Sequence, residues 1–154
     1  MLVQYEYTGY AWGPELRKEH PLLAEKWDFS RYQPDVICIN LGTNDLSTNN
    51  YDLNLLKQGY QNLLKMVRQH NPKAKIVLLT GSMLYNQEQQ EAIQLLNEIA
   101  AEAQATGDKE IFRFDMTHID GETYYGNDWH PNVYQDEKMA AELTAFLRKQ
   151  MGWN

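Results

Sequence analysis

The chain has 154 residues, of which 43% are hydrophobic and 23% are charged, as is typical of one globular domain that buries a core. Its formal net charge of −7 argues against a nucleic-acid surface, which needs clustered Lys and Arg side chains. No apolar run approaches the roughly 20 residues that a membrane-spanning helix requires. We therefore expect a single domain over residues 1–154, with neither nucleic acid nor a membrane as its partner.

The first thirty residues carry an irregular pattern. Residues 2–7 fit a short strand, residues 8–10 fit a turn, and residues 15–26 fit a weak helix that Pro21 interrupts. The charged, apolar and small-residue regions of a signal peptide do not follow Met1. These residues therefore leave the cellular location undecided.

Three apolar runs of strand length alternate with amphipathic helices in the rest of the chain. The predicted strands are residues 35–41, 75–80 and 111–115, and the first two have the composition of strands buried on both faces. The predicted helices are residues 53–69, residues 87–105 and a last helix that Asn132 caps. Such alternation gives parallel crossovers, so we predict an α/β fold, a three-layer α/β/α sandwich around a mostly parallel sheet.

Cys38 is the single cysteine, and it lies inside the first predicted strand. One cysteine cannot build a disulfide framework, and a thiol without polar neighbours has no group that lowers its pKa. We expect Cys38 to be buried and unreactive. His20 and His70 also lack polar neighbours that suggest chemistry, and we treat them as surface residues.

The tetrad Gly-Thr-Asn-Asp at residues 42–45 directly follows the first predicted strand. Open α/β sheets bind ligands in the crevice outside the carboxyl ends of their strands. Gly42 permits close approach of the backbone, and the Asn44 amide can donate to a developing negative charge. These residue types are also the commonest in turns, so a plain turn is the alternative interpretation.

The segment Asp-Trp-His-Pro-Asn at residues 128–132 lies between a loop rich in Gly and Tyr and the last predicted helix. Pro131 restrains the backbone next to His130, and Asn132 begins the helix. Imidazole is the usual general base near neutral pH, because its unperturbed pKa is about 6.5. His130 is therefore a candidate base, and a surface histidine in a capped turn is the alternative.

A polar loop after the third predicted strand suggests different chemistry. Asp115, His118 and Asp120 lie close together in sequence, and with Asp128 and His130 they could bind a metal ion. Their spacing matches no recognised zinc or calcium motif, so a polar loop at the rim of the sheet is the plainer interpretation. We expect no cofactor, and a metal-assisted hydrolase stays open as an alternative function.

Residues 39–45 and 128–132, taken together and in this order, resemble blocks three and five of the SGNH (GDSL-like) hydrolases. The form of these blocks in this chain is most similar to that of the second family of carbohydrate esterases, the acetyl xylan esterase-like group. Further similar segments are residues 27–30, 34–35 and 79–83. The resemblance covers about residues 25 to 150 and implies deacetylation of xylan and similar glycans.

The resemblance also implies acyl transfer of the Ser-His type, in which His130 deprotonates a serine and later protonates the leaving sugar oxygen. Asn44 would donate its amide to the oxyanion, beside a backbone N–H for which Gly9 is the candidate. Many relatives carry Asp three residues before the histidine, where this chain has Asn127. In the esterases that this chain resembles, a backbone carbonyl near this position supports the histidine, so the resemblance implies that Asp128 orients His130 through its main chain.

Substrate contacts follow from the same resemblance. Trp129 is expected to shape the acyl pocket, with packing against the last helix as the alternative. His118 lies in a loop that the family places near the active site, so it is expected to touch substrate. Relatives are mostly bacterial and act on extracellular glycans, so the resemblance implies a secreted or cell-surface protein.

The nucleophile is the one component of this mechanism that the sequence lacks. In the family it is the serine of a Gly-Asp-Ser block on the first, central strand, and no Gly-Asp-Ser occurs in this sequence. The serines present are Ser30, Ser47 and Ser82. Ser82 matches a position that the family uses structurally and Ser47 fits a turn or a cap, so we do not expect any of the three to be the nucleophile. We expect the first strand to be missing, and an N-terminal segment or second chain to supply Gly-Asp-Ser.

The sequence thus predicts a hydrolase of carbohydrate O-acetyl esters, or of other small esters, whose serine comes from outside this sequence. The alternative from a different class is a non-catalytic remnant that binds acetylated sugar or a partner protein.

Overall fold

The computed structural model describes residues 5–7, 18–19 and 25–154. The chain divides into two compact units, one formed by residues up to 35 together with 58–74, the other by residues 36–57 together with 75–154. The interpretation as a single domain stays a prediction. In the described part of the chain, no helix has the length and apolarity needed to cross a membrane.

The three strands and the three long helices agree with the predicted ones to within two residues at their ends. The strands are β1 (Val36–Ile39), β2 (Lys75–Thr80) and β3 (Ile111–Asp115). The helices are α1 (Thr43–Leu46), α2 (Leu53–His70), α3 (Asn86–Ala105) and α4 (Val133–Met151), with 3-10 turns at Phe29–Arg31, Glu122–Tyr124 and Asn127–Trp129. The short helix α1 was not predicted, because its tetrad has the composition of a turn.

The three strands form a parallel sheet in the order β1-β2-β3. Val36 is paired with Lys75, and Ile76 with Ile111. Four consecutive side chains of the central strand are buried, namely Ile76, Val77, Leu78 and Leu79. The continuous apolar run of β2 thus belongs to a strand that is covered on both faces, as predicted.

Helices cover both faces of this sheet. Arg113 and Phe114 are neighbours on β3, so their side chains point to opposite faces. Arg113 Nε donates to Asn97 Oδ1 of α3 at 3.1 Å, whereas the Phe114 ring lies 4.9 Å from the Phe146 ring of α4. The structure therefore confirms the predicted three-layer α/β/α arrangement.

The predicted burial of β1 on both faces is wrong. Among the described strands β1 pairs with β2 alone and so lies at an edge of the sheet. Cys38 is exposed, and Val36 and Ile37 are only partly buried. Apolar composition shows that side chains can be buried, but burial requires neighbouring elements, and an edge strand has fewer of them. Partial desolvation nevertheless raises the pKa of the Cys38 thiol.

The other unit contains the second part of α2 and the described residues before β1. Tyr7 forms an isolated antiparallel bridge with Lys26, the sole trace of the strand predicted at residues 2–7 in the described part of that segment. His70 Nε2 lies 2.9 Å from Glu6 Oε1, and its ring stacks on Phe29 with centroids 3.9 Å apart. The treatment of His70 as a surface residue is therefore wrong. The helix buries Tyr60, Leu63, Leu64 and Val67.

Candidate active site

The helix α1 places the predicted oxyanion residue just after β1. Gly42 begins this turn with φ +105, a left-handed conformation that L side chains rarely adopt. Leu46 N–H donates to Gly42 O at 2.9 Å, and the Leu46 side chain is buried against Leu84 and Ala92. Asn44 lies on the exposed side of the turn, and none of the described residues bonds its side chain. Its amide is therefore available as a donor.

The carboxyl end of β2 lies close to the end of β1. A Cβ on Gly81 would come within 2.9 Å of Asn40 Oδ1, so glycine permits this approach. The loops that follow β2 and β3 are also joined, because Met116 N–H donates to Thr80 O at 3.0 Å and Ile119 N–H donates to Ser82 O at 3.1 Å. The segments that follow all three strands thus meet at one edge of the sheet, as ligand sites of α/β folds require.

A cleft of about 450 Å³ opens beside α1. It is lined by residues 46–49, Tyr51, residues 83–85 and Glu88. Tyr51 donates its hydroxyl hydrogen to Glu91 Oε2, and this bond, with smaller contributions from desolvation and nearby carboxylates, raises the pKa of Tyr51 to about 12. The Tyr51 hydroxyl is therefore harder to ionise than an ordinary tyrosine, which is itself neutral at physiological pH.

His118 contacts one wall of this cleft. Its ring meets the Tyr85 ring edge-on, with centroids 4.1 Å apart and an interplanar angle of 86°. Its Nδ1 atom is buried and has no hydrogen-bond partner among the described residues. Tyr85, the neighbour of His118, lines the cleft. The contact of His118 itself with substrate stays a prediction.

A turn of unusual backbone conformation carries the candidate base. Asp128 and Trp129 both have left-handed φ values, 52 and 61, and neither is glycine. His130 N–H donates to Asn127 O at 3.1 Å, and His130 O accepts from Gly126 N–H at 2.7 Å. Backbone strain of this kind is concentrated at functional sites.

The imidazole of His130 is oriented by a main-chain carbonyl. Nδ1 of His130 lies 2.8 Å from Asp128 O. A carbonyl oxygen accepts and cannot donate, so in the neutral imidazole the hydrogen resides on Nδ1 and the lone pair on Nε2. His130 is exposed, which leaves Nε2 accessible as a base. This geometry is the main-chain contact that the sequence predicts for Asp128, and the catalytic roles of both residues stay proposals.

Trp129 presents its ring to solvent. The side chain is 72% exposed, so the alternative of packing against the last helix is not what the structure shows. Its ring contacts Tyr125 edge-on at 5.4 Å between centroids. An exposed and supported indole is suited to stacking on a sugar or an acyl group.

The structure brings together some of the predicted site residues. Asp128 and His130 are hydrogen-bonded, and Gly42 and Asn44 share the α1 turn. No described hydrogen bond or ring contact joins Asn44 to His130. Gly9 lies outside the described residues. Tyr51 and Tyr85 in the cleft were missed by sequence reasoning, because isolated loop tyrosines give no periodic signal.

Two other kinds of chemistry would need a cluster of metal ligands or a serine of this chain bonded to His130. The described residues contain no group of three His, Cys, Asp or Glu side chains that could hold a metal ion, so the Asp/His loop offers no ligand set. Ser30 Oγ donates to Asp28 Oδ1 at 2.6 Å, Ser47 Oγ donates to Thr43 O at 2.6 Å, and Ser82 is buried. No described hydrogen bond joins a serine to His130.

Comparison with known proteins identifies the family to which the chain belongs. Residues 5–134 match the GDSL-like Lipase/Acylhydrolase family. The sequence is 35% identical over 149 residues to the cellulase/esterase CelE of Acetivibrio thermocellus, covering 94% of this chain and 18% of that protein. It is 34% identical over 130 residues to an acetylxylan esterase/glucomannan deacetylase of Cellvibrio japonicus, covering 84% of this chain and 35% of that protein.

Solved structures agree with these matches. A family two carbohydrate esterase from Clostridium thermocellum, in complex with cellohexaose, superposes with a TM-score of 0.82 at 35% identity, covering 96% of this chain and 46% of that one. A family two carbohydrate esterase from Cellvibrio japonicus gives a TM-score of 0.79 at 30% identity, covering 97% and 40%. The chain thus spans less than half the length of each of these relatives.

Proposed function

The chain belongs to the GDSL-like lipase/acylhydrolase family, as its sequence predicts, and we propose that it supplies the histidine half of a Ser-His esterase site. The observation that carries the proposal is the hydrogen bond between His130 Nδ1 and Asp128 O, which in the neutral imidazole of this exposed residue leaves the lone pair on Nε2. The proposed substrate is an acetyl ester on a carbohydrate, because one relative is named an acetylxylan esterase/glucomannan deacetylase.

The proposed reaction has two steps. In the first step a serine oxygen attacks the acetyl carbonyl, its proton moves to His130 Nε2, and the imidazolium then protonates the leaving sugar oxygen. In the second step His130 deprotonates the water that attacks the acetyl carbonyl, the bond between the carbonyl carbon and the serine oxygen breaks, and the imidazolium returns the proton to the serine as acetate leaves. The Asn44 amide donates to the oxyanion that forms in each step.

We propose that the serine reaches the site on a strand that pairs with the open side of β1. Among the described strands β1 has one neighbour, and its exposed Cys38 and partly buried Val36 and Ile37 leave apolar surface for another. A parallel strand there would end beside Gly42 and Asn44, where open α/β sheets place catalytic groups. A Gly-Asp-Ser segment, covalently joined or on a second chain, fits this position.

The sugar is proposed to bind between the cleft and Trp129. Tyr85, with His118 against it, and the exposed indole offer aromatic faces on which sugar rings stack. Tyr51 donates its hydroxyl hydrogen to Glu91, so its oxygen can accept a hydrogen bond from the sugar.

The test is reconstitution with a Gly-Asp-Ser segment taken from a family two carbohydrate esterase, either fused to the chain or added in trans. We call the product the reconstituted protein. We expect it to release acetate from acetylated xylan oligosaccharides and from an aryl acetate. A folded reconstituted protein that hydrolyses neither ester would refute the proposed function.

Binding of acetylated sugar without turnover is the second candidate function. It is favoured by the open cleft and by the absence of a described serine bonded to His130. Calorimetry with acetylated xylan oligosaccharides separates the two candidates. Binding by the chain that is weakened in Trp129→Ala, with no acetate released even after reconstitution, would favour this second function.

Replacing Asp128 with asparagine is expected to cost the reconstituted protein little activity. The variant keeps the carbonyl that His130 Nδ1 contacts, and Asn tolerates the left-handed conformation as well as Asp does. Replacing the carboxylate of a Ser-His-Asp triad, in contrast, lowers kcat by about 10⁴-fold. Steady-state kinetics on an aryl acetate measure the effect. A loss of the triad size would show that the Asp128 carboxylate takes part in catalysis.

A further inference from the structure

Residues 123–132 form a closed loop around His130, which we call the His130 loop. Its two arms are residues 123–126 and residues 130–132. They are joined by the bridge between Tyr125 and Pro131 and by the hydrogen bond from Gly126 N–H to His130 O, 2.7 Å long. Asn132 N–H adds a bond to Tyr124 O at 3.0 Å. The turn between the arms carries the strained residues 128 and 129, so the conformation of the turn depends on how firmly the arms are joined.

One side chain contributes to both the loop closure and the helix. Asn132 Oδ1 accepts from the backbone N–H groups of Tyr134 and Gln135, at 3.1 and 3.2 Å, and so caps α4. Asn132 Nδ2 donates to Thr123 O at 2.7 Å and to Tyr125 O at 3.4 Å. Capping needs only the acceptor oxygen, which Ser and Asp supply equally well. The two amide donations therefore serve the other arm of the His130 loop.

Close packing leaves the arms little freedom. A Cβ on Gly126 would lie 3.3 Å from Pro131 O and 3.4 Å from His130 O, contacts that are tighter than usual and involve backbone atoms. A non-glycine residue in a left-handed conformation persists only where its surroundings determine that conformation. If the arms separate, Asp128 and Trp129 can relax, and Asp128 O then leaves His130 Nδ1.

We propose that Asn132 is a positioning residue for the base. Through its amide bonds to Thr123 and Tyr125 it keeps Asp128 O against His130 Nδ1, and so fixes the tautomer in which Nε2 accepts protons. The inference rests on the proposed function of His130 and adds to it a residue that does not touch the substrate. Esterase activity is not needed to test it, because the tautomer is a property of the chain by itself.

The test is NMR of the full chain labelled with ¹⁵N-histidine, at a pH where His130 is neutral. Long-range ¹H–¹⁵N correlation spectra distinguish protonated from unprotonated ring nitrogens. For His130 we expect a protonated Nδ1 and an unprotonated Nε2. In Asn132→Ser, which keeps the cap and loses both amide donations, the two ¹⁵N shifts should move toward each other as the tautomers mix. Asn127→Ser is the matched control, because no described residue bonds the Asn127 side chain, and its spectrum should be unchanged.

A second variant separates loss of positioning from loss of folding. Asn132→Asp places a carboxylate, a stronger hydrogen-bond acceptor than the amide oxygen, at the N-terminus of α4, and it also lacks the amide donor. Its helix content should equal that of the wild type by circular dichroism, while its His130 shifts converge. If Asn132→Ser and Asn132→Asp both keep the wild-type separation of the two His130 ¹⁵N shifts, the amide has no positioning role and the proposal is wrong. The same conclusion follows if these shifts converge only in Asn132→Ala, which loses the cap as well as the amide.

Steady-state kinetics of the reconstituted protein give an independent measure of how well His130 is positioned. Asn132→Ser should lower kcat for an aryl acetate by up to about 10²-fold with KM nearly unchanged, because a displaced base slows chemistry and not binding. An inactive reconstituted wild-type protein would refute the proposed function and leave the tautomer result standing.

Discussion

Replacing His130 with alanine is expected to abolish acetate release by the reconstituted protein. Nε2 of this exposed residue is the proposed base, since Asp128 O occupies Nδ1. General acid–base catalysis contributes about 10²–10⁴-fold, so kcat should fall by at least that range. KM for a small aryl ester should change little, because the imidazole acts on the serine proton. Steady-state kinetics on an aryl acetate measure both values.

His70→Gln is the matched control for this prediction. It also removes an imidazole, but His70 pairs with Glu6 and stacks on Phe29 in the other unit of the chain. Turnover should stay within a few fold of the wild type once thermal melting has shown that the variant is folded. Activity in His130→Ala close to that of the control would contradict the assignment of His130 as the base.

Replacing Leu78 with alanine is expected to destabilise the chain by about 2–5 kcal/mol. Leu78 lies at the middle of the central strand with 0% of its surface exposed. Truncating its side chain therefore leaves a cavity within the buried core. Urea denaturation followed by circular dichroism measures the loss as a lower midpoint at an unchanged slope.

Leu55→Ala is the control for the core prediction. Leu55 lies on α2 and is 67% exposed, so the same truncation removes few contacts. Its free energy of unfolding should stay within about 0.5 kcal/mol of the wild type. Equal destabilisation by the two variants would show that β2 is not the centre of the core.

The strands illustrate what can be predicted from this sequence. The bounds of β2 and β3 are predicted correctly, because the β-branched and aromatic residues that favour strands are concentrated within them. The burial of β1 is predicted incorrectly, because its run Val-Ile-Cys-Ile is as apolar as β2. Whether such a strand is covered depends on its neighbours in space, and residue types do not carry that information.

The candidate site shows the same division. The positions of Gly42, Asn44 and His130 relative to the elements follow from strand and helix patterns. The left-handed φ of Trp129 does not, because bulky residues rarely adopt it and here hydrogen bonds between the arms of the His130 loop impose it. The cleft also escapes prediction, since Tyr51 and Tyr85 come from separate loops.

The most direct test of the half-site is an aryl acetate assay on the chain alone, on the Gly-Asp-Ser segment alone and on the two combined. Turnover is predicted for the combination only, and it should disappear in His130→Ala. Turnover by the chain alone that requires His130 would contradict the proposed division of the site. The nucleophile would then be Ser30, Ser47 or Ser82, or a serine of a second copy.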